Sequence, residues 1–386
     1  MAEPTVVKPD LDFVKQVKEL GGESLKKCFQ CATCSVVCKL SPEENPFPRK
    51  EMIWAQWGLR DKLMKDPDVW MCYNCNDCSV HCPREAKPGE VLAAVRNYSF
   101  MDYAFPKFMG KALSQAKYLP LLFGFPIILL LLVLGTSDLP DGPILFREFL
   151  PYVYVDAAAA IFTVLVLTAI IVGVRRFWAN LKEGSPGTQA GSVSMVEFVK
   201  SSILPVVIRV LKQEKFADCE ANSIRYYGHL GIFYGFMLCF ITTSIVAGCI
   251  WLEMVFPQWE DFLLPPWSLF SVVKVLGNAG GLAIVAGCTI VLYNRYANKE
   301  KAGAFTYQDA LFTWVVLLVA ITGLVTQFAR MTDIALVAYL VYGIHLVLVF
   351  FLLAYLPYSK FMHMIFRFVA LVYAESIGRS GKEISG

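Results

Sequence analysis

CFQCATCSVVC, residues 28–38, and CYNCNDCSVHCP, residues 72–83, share one spacing: Cys28-x2-Cys31-x2-Cys34-x3-Cys38 and Cys72-x2-Cys75-x2-Cys78-x3-Cys82. A tight loop lets the first three thiolates of such a run converge on one cubane, while the fourth leaves in the next helix and points to the other. The spacing therefore predicts one [4Fe–4S] cluster on Cys28, Cys31, Cys34 and Cys82, and a second on Cys72, Cys75, Cys78 and Cys38. Structural zinc competes, but zinc sites usually present two cysteine pairs, not three cysteines followed by a fourth. The stretch between the motifs reads as helical, which favours an all-helical two-cluster ferredoxin domain over residues 1–105 rather than a compact β-rich one. Within it, 11–27 and 49–65 have helical periodicity, with Trp54 and Trp57 as packing residues. His81, inside the second motif, reads as a neighbour of the ligands rather than a ligand.

The rest of the chain has another character. Of 386 residues, 56 % are hydrophobic, and the net charge is only +3, with no basic tract to argue for nucleic acid. The first 27 residues are too polar to hold a signal-peptide core, so the cysteine region is expected in the cytoplasm, where thiols stay reduced. Six apolar segments follow, near 117–135, 154–174, 228–252, 269–293, 310–328 and 333–356. Each matches the roughly 20 residues that cross a ~30 Å hydrocarbon layer. Helices buried in a large soluble protein rarely give six such lengths in series. Residues 106–386 thus read as a six-helix membrane bundle in lipid, and the whole chain as all-α.

Loop charges orient the bundle. Arg175, Arg176, Lys182, Arg209, Lys212, Lys215, Arg225, Arg295, Lys299 and Lys301 fall in loops on one side, with Lys360 and Arg367 after the last span. Only Arg147 and Arg330 fall on the other. Both termini are expected inside a cytoplasmic membrane. Residues 195–215, apolar but punctuated by charge, are either an interfacial helix or a connector.

Ionisable groups within spans are functional candidates by default. His229 opens the third span, where Gly228, Gly231 and Gly235 are expected to admit a flat macrocycle. His345 lies midway along the sixth, and His363 follows at its inner end. A straight helix would set His345 and His363 on one face, ~27 Å apart, at about 1.5 Å per residue. Depth pairs His229 with His363 as axial ligands of one haem b; structural histidines are the alternative. His345 lacks a histidine partner, and Cys239 is the nearest residue in depth, which leaves a second haem open. Cys219, Cys249 and Cys288 have no metal-like spacing. Lys274, near the outer end of the fourth span, either snorkels or hydrogen-bonds a quinone carbonyl.

With these residues in view, 20–100, including CPREAKPGEVLAAVRNY at 82–98, resembles the iron–sulfur C subunits of heterodisulfide reductases. Residues 220–370 resemble the haem-b subunit of respiratory nitrate reductase, in GHLGIFYG at 228–235 and HLVLVFFLLAYLPYSKFMHM at 345–364. The fusion resembles the C subunits of quinone-interacting membrane-bound oxidoreductase complexes of sulfate-reducing bacteria. The resemblance implies b haems, a menaquinone site, two flavin-containing, heterodisulfide-reductase-A-like partners, and exchange with adenylylsulfate reductase. It also places Lys274 near a quinol-site lysine. The nitrate-reductase protein has two histidines in its matching span, whereas here the second position falls near Cys239, which argues against a second haem held by two histidines. The expected function is an electron conduit from quinol through haem and clusters to cytoplasmic flavoproteins. The rivals are the membrane subunit of a heterodisulfide-reductase-like or sulfite-reduction complex, and a transporter or assembly factor with a redox sensor.

Overall fold

The structure, a computed structural model, describes residues 8–135, 140, 142–184, 194–213, 216, 222–265 and 267–379. Lys215, Cys219 and both termini lie outside these residues. All regular structure among the described residues is helical.

Six helices are long and apolar enough to cross a membrane: Ala116–Leu134, Tyr152–Gly184, Ile224–Val255, Val272–Ala297, Tyr307–Thr332 and Ala335–Ala354. The second has 33 residues, or roughly 50 Å at about 1.5 Å per residue, well beyond a ~30 Å hydrocarbon layer. Its C-terminal end enters the cysteine-rich domain. There Phe177 and Leu181 are fully buried in one core with Phe13, Met52, Trp70, Phe100 and Tyr103, and with Met362, Phe366 and Tyr373 from the last helix, Met362–Ser376. Trp70 meets Phe177 edge-on at 5.7 Å and Phe366 at 5.3 Å. Asn180 donates to the Tyr103 hydroxyl at 2.9 Å, and Lys65 pairs with Glu183 at 2.5 Å. Burying one such large apolar side chain contributes about 2 to 3 kcal/mol, so the two parts of the chain are joined by shared core rather than by a linker.

The third and fourth spans lie backbone to backbone. A Cβ on Gly235 would stand 2.7 Å from Ile284 Cγ1, and one on Gly231 2.8 Å from the Ala283 carbonyl oxygen. Small residues are what permit such approach in lipid, where burial gives helices little reason to associate. The expectation for Gly228, Gly231 and Gly235 is corrected accordingly: they accommodate the fourth span, not a macrocycle.

Three other expectations change. The helix at 11–27 is interrupted at Gly21, whose φ of +112° suits glycine. The one at 49–65 is two helices, Arg49–Gln56 and Arg60–Met64, parted at Gly58 beside the Asp10 backbone. Trp57 is 56 % exposed rather than packed, while Trp54 lies beneath the Lys50 and Lys62 ammonium groups. Finally, no straight helix joins His345 to His363. The sixth span stops at Ala354, and a tight turn at Leu356–Tyr358 containing Pro357 redirects the chain before Met362–Ser376 begins. Proline has no N–H to continue the helical ladder.

The 195–215 stretch is helical over Met195–Phe198 and Leu204–Lys212, joined by a wide turn. It buries Val206 against the last helix and pairs Arg209 with Glu375 at 3.0 Å, while Val196, Val199, Leu204 and Ile208 stay exposed. That outward apolar face suits a bilayer interface.

Candidate redox site

The two cysteine loops repeat each other residue for residue. Gln30 (φ 60°) and Ala32 (φ 70°) in the first match Asn74 (φ 54°) and Asn76 (φ 75°) in the second, all left-handed. Each loop runs into a single helical turn, Thr33–Val36 or Asp77–Val80. Alternating left-handed residues curl the backbone inward, and N–H groups turn toward sulfur: Gln30 donates to Cys28 Sγ at 3.4 Å and Asn74 to Cys72 Sγ at 3.3 Å. Ala86 donates to Cys82 Sγ at 3.4 Å.

The sulfurs fall into two sets. Burial, then the neighbouring Cys28, Cys31 and Cys82, pushes the Cys34 thiol up to about 11. Burial, then Cys72 with Cys75 behind it, pushes Cys38 up to about 12. Cys78 is raised well above its ordinary value by burial and then by Cys72, Cys75 and Cys38. Cys31, at the surface, is instead lowered by the Thr33 hydroxyl. Crowded, buried thiols such as Cys34, Cys38 and Cys78, raised by burial and by their cysteine neighbours, belong to donor sets that iron relieves, since a bound metal takes the place of the protons. The residues therefore fit two clusters. Exposed His81 takes no part; its Nδ1 lies 2.9 Å from the Asp77 carbonyl.

The second loop sits against the membrane part. Arg367 donates to the Cys72 carbonyl at 3.1 Å and stacks 3.7 Å from the centre of the Tyr73 ring. Arg225 donates to the Asn74 carbonyl, and Asn76 to the Lys301 carbonyl at 3.2 Å. Phe216 lies 5.6 Å from Tyr73 on one side and stacks at 4.9 Å on His229 on the other. His229 Nδ1 is buried with no hydrogen-bond partner. His363 Nδ1 is held at 2.6 Å by the Lys360 carbonyl, which leaves Nε2 available. Burial, followed by the charges of Lys360, His229 and Arg367, pushes His363 down to about 3 against the pull of the Lys360 carbonyl. His229 and His363 are therefore electrostatic neighbours, and His363 is neutral at pH 7, as binding a metal through its imidazole would require. An orphaned imidazole nitrogen beside a second imidazole with a free Nε2 fits a haem iron.

Elsewhere the residues part company. His345 Nδ1 lies 3.0 Å from the Thr322 hydroxyl, and a Cβ on Gly323 would stand 3.0 Å from its ring. Cys239 packs instead on Gly280 of the fourth span, where an added Cβ would be 2.9 Å from its sulfur. Lys274 is half-buried near the start of the fourth span, beyond a Ser271 cap. Sequence reasoning missed the roles of Arg367, Tyr73 and Phe216. An aromatic second in each motif, Phe29 and Tyr73, was the available signal.

The carboxylates of Glu51, Asp66 and Asp68 lie within 4.8 Å of one another. Lys50 is 2.8 Å from Asp66 and 2.5 Å from Asp68, and Arg379 is 2.7 Å from Asp68, so the protein supplies the countercharge itself.

Comparison with known proteins agrees with this division. A family model described as 4Fe-4S dicluster domain matches residues 24–86, and one described as Citrate utilization protein B matches residues 111–382. The Citrate utilization protein B of Escherichia coli is 28 % identical over 379 residues, covering 93 % of this chain and 92 % of that protein. The C subunit of the H(2):CoB-CoM heterodisulfide,ferredoxin reductase of Methanothermobacter marburgensis is 39 % identical over 89 residues, covering 23 % of this chain. An Archaeoglobus profundus protein like the heterodisulfide reductase C subunit is 42 % identical over 89 residues. The chain spans about half the length of these last two relatives, 48 % and 47 %. No solved structure matches. An iron–sulfur electron-transfer domain thus precedes a six-helix region whose family model covers most of the molecule, and the chain belongs to the Citrate utilization protein B family.

Proposed function

We propose that the protein is the membrane electron-transfer component of an oxidoreductase complex, passing electrons between menaquinol and soluble flavin or iron–sulfur partners. The observation that carries this reading is Phe216, which touches both Tyr73 of the second cysteine loop and His229. When bound, haem b and the two clusters supply one-electron carriage. The chain's residues do the rest. Cys28, Cys31, Cys34 and Cys82 hold one cluster and Cys38, Cys72, Cys75 and Cys78 the other. His229 and His363 hold the haem, while Phe216 and Tyr73 fill the space between sites and exclude water. Arg367 and Arg225 clamp the second loop to the membrane part by its carbonyls.

In this reading the cysteine-rich domain and both termini face the cytoplasm, where the positive loops lie. The outer half holds His345 as a candidate second haem ligand and Lys274 as a candidate quinone contact. Two flavin-containing, heterodisulfide-reductase-A-like partners, with adenylylsulfate reductase beyond them, follow from the resemblance. The test is a pyridine-haemochrome and iron assay on purified protein, with quinol added as reductant. Haem absorbance that quinol reduces, with about nine iron atoms per chain, ~4 per cluster and one in the haem, is expected. Absence of quinol-reducible haem sinks the proposal.

The relatives support two settings for this chemistry. Likeness to the C subunits of heterodisulfide reductases favours a heterodisulfide-reductase-like or sulfite-reduction complex. The match along nearly the whole chain to a Citrate utilization protein B favours a role in citrate utilization. Identification of the protein that co-purifies in stoichiometric amount separates them.

A further inference from the structure

The two cysteine loops have the same backbone but opposite surroundings. At the second, an aromatic stacked under an arginine, Tyr73 under Arg367, sits against Phe216 of the membrane part, and a membrane-part arginine takes the Asn74 carbonyl. At the first, the corresponding aromatic is stacked under an arginine too, Phe29 beneath Arg84 at 4.0 Å. Its equivalent carbonyl, that of Gln30, is taken by Arg49 of the same domain at 2.9 Å. Among the described residues nothing covers the pair: Phe29 is 68 % exposed, Val36 84 % exposed, and Cys31 lies at the surface. Large apolar side chains exposed together beside a functional group mark an interaction site.

The device that seats the second loop on its neighbour is therefore repeated at the first, where it faces outward. The flanking charge says what fits it. Lys26, Lys27, Arg84 and Lys87 stand near the motif in sequence against Glu23, Glu85 and Glu90; Lys27 pairs with Glu85 at 3.6 Å and Lys87 with Glu90 at 3.4 Å, which leaves Lys26 and Arg84 as the unmatched positive charges beside Glu23. An acidic rim is the complement, and steering between opposite charges raises the association rate.

We propose that the Phe29–Arg84 face, with Val36 at its edge, docks a soluble redox protein that presents an apolar patch ringed by carboxylates. This surface is the point at which electrons leave or enter the chain. The inference rests on reading the cysteine sets as cluster sites, not on the haem.

Full-length protein with its clusters loaded is reduced by dithionite, freed of excess dithionite by anaerobic gel filtration, and mixed with oxidised flavodoxin, an acidic FMN carrier, or with ferricyanide. Transfer to flavodoxin is expected to slow at least tenfold in Arg84→Glu and in Val36→Glu and to weaken as salt rises, while ferricyanide reduction is unchanged. Lys182→Glu, the same charge change on the second span's extension, is expected to leave both rates alone. Equal flavodoxin rates in all variants overturn the proposal, as does equal slowing by Lys182→Glu. Val36-dependent self-association on sedimentation also overturns it, since a second copy then covers the face. Val36→Glu, a fully solvated position, keeps the test valid if Arg84→Glu misfolds. Dithionite bypasses quinol and haem, so a chain lacking haem still reports on docking, whereas missing cluster absorbance counts against the cluster reading instead.

Discussion

On the proposed orientation, the inner end of the membrane part and its middle treat their histidines differently. At the end beside the cysteine loops, His229 and His363 come from separate helices, one nitrogen is left orphaned and buried, and aromatic rings continue the contact to the second cysteine loop. Midway along the sixth span, His345 meets the Thr322 hydroxyl through Nδ1 and is seated against Gly323. His345 and His363 each engage Nδ1, with the Thr322 hydroxyl and the Lys360 carbonyl, so what sets the inner pair apart is the buried, unbonded Nδ1 of His229 beside His363. The lesson is that an unbonded nitrogen next to a second histidine marks a candidate ligand pair where membrane depth alone does not.

Substitutions that break this contrast order themselves by size. His363→Ala is expected to remove the inner haem, with at least a tenfold loss of that haem's absorbance at unchanged non-haem iron content. His345→Ala is expected to retain the inner haem's spectrum, and equal loss in both variants would erase the distinction. Phe177→Ala, which opens a cavity where the second span enters the shared core, is expected to cost about 3 to 5 kcal/mol. Thermal unfolding in detergent followed by cluster absorbance measures it, and a loss below about 1 kcal/mol would show that the core is not shared.

Acid should weaken the inner site. His363 is held down to about 3, below an ordinary histidine value near 6.5. Between these values the unfolded chain takes up a proton that the native site refuses, so this contribution is complete above pH ~6.5 and lost as pH falls toward 3, at about 1.4 kcal/mol per unit. Denaturant titrations of haem-free protein at pH 7 and pH 5 measure it, and His363→Gln should flatten the slope. The smallest effect belongs to Thr322→Val, which removes one hydrogen bond to His345 and should cost about 1 kcal/mol. A shift in the inner haem spectrum in that variant would mean that the halves are coupled.

Much of this was legible in the residues. Apolar length reveals a span because the bilayer's thickness is fixed, and all six segments were found where length put them. The approach of Cys82 to the first motif follows from the three-residue gap, because one helical turn carries the fourth cysteine away from its own loop. What escaped depended on neighbours. Gly228, Gly231 and Gly235 suit a macrocycle or a helix equally well, and only the facing Gly280 and Gly287 decide. The 18-residue interval from His345 to His363 misled because Pro357 ends the helix between them. Phe177 and Leu181 lie beyond the apolar run of the second span, so a hydropathy window stops short of them, and nothing local says which core they enter.

That last feature bears on how the protein is made. The cysteine-rich domain is translated first, yet its core is completed by Phe177 and Leu181, and then by Met362, Phe366 and Tyr373, which follow the sixth span. Trp70 and Phe100 can meet each other from the start, but Trp70 and Tyr103 lack Phe177 until the second span is made, and all three lack Phe366 until the sixth has followed. The domain waits through membrane insertion with its floor missing. Its cysteines are then fully organised only once the chain that will exchange electrons with them is in place, an order of assembly that keeps a loaded, reactive iron–sulfur domain from existing without its membrane counterpart.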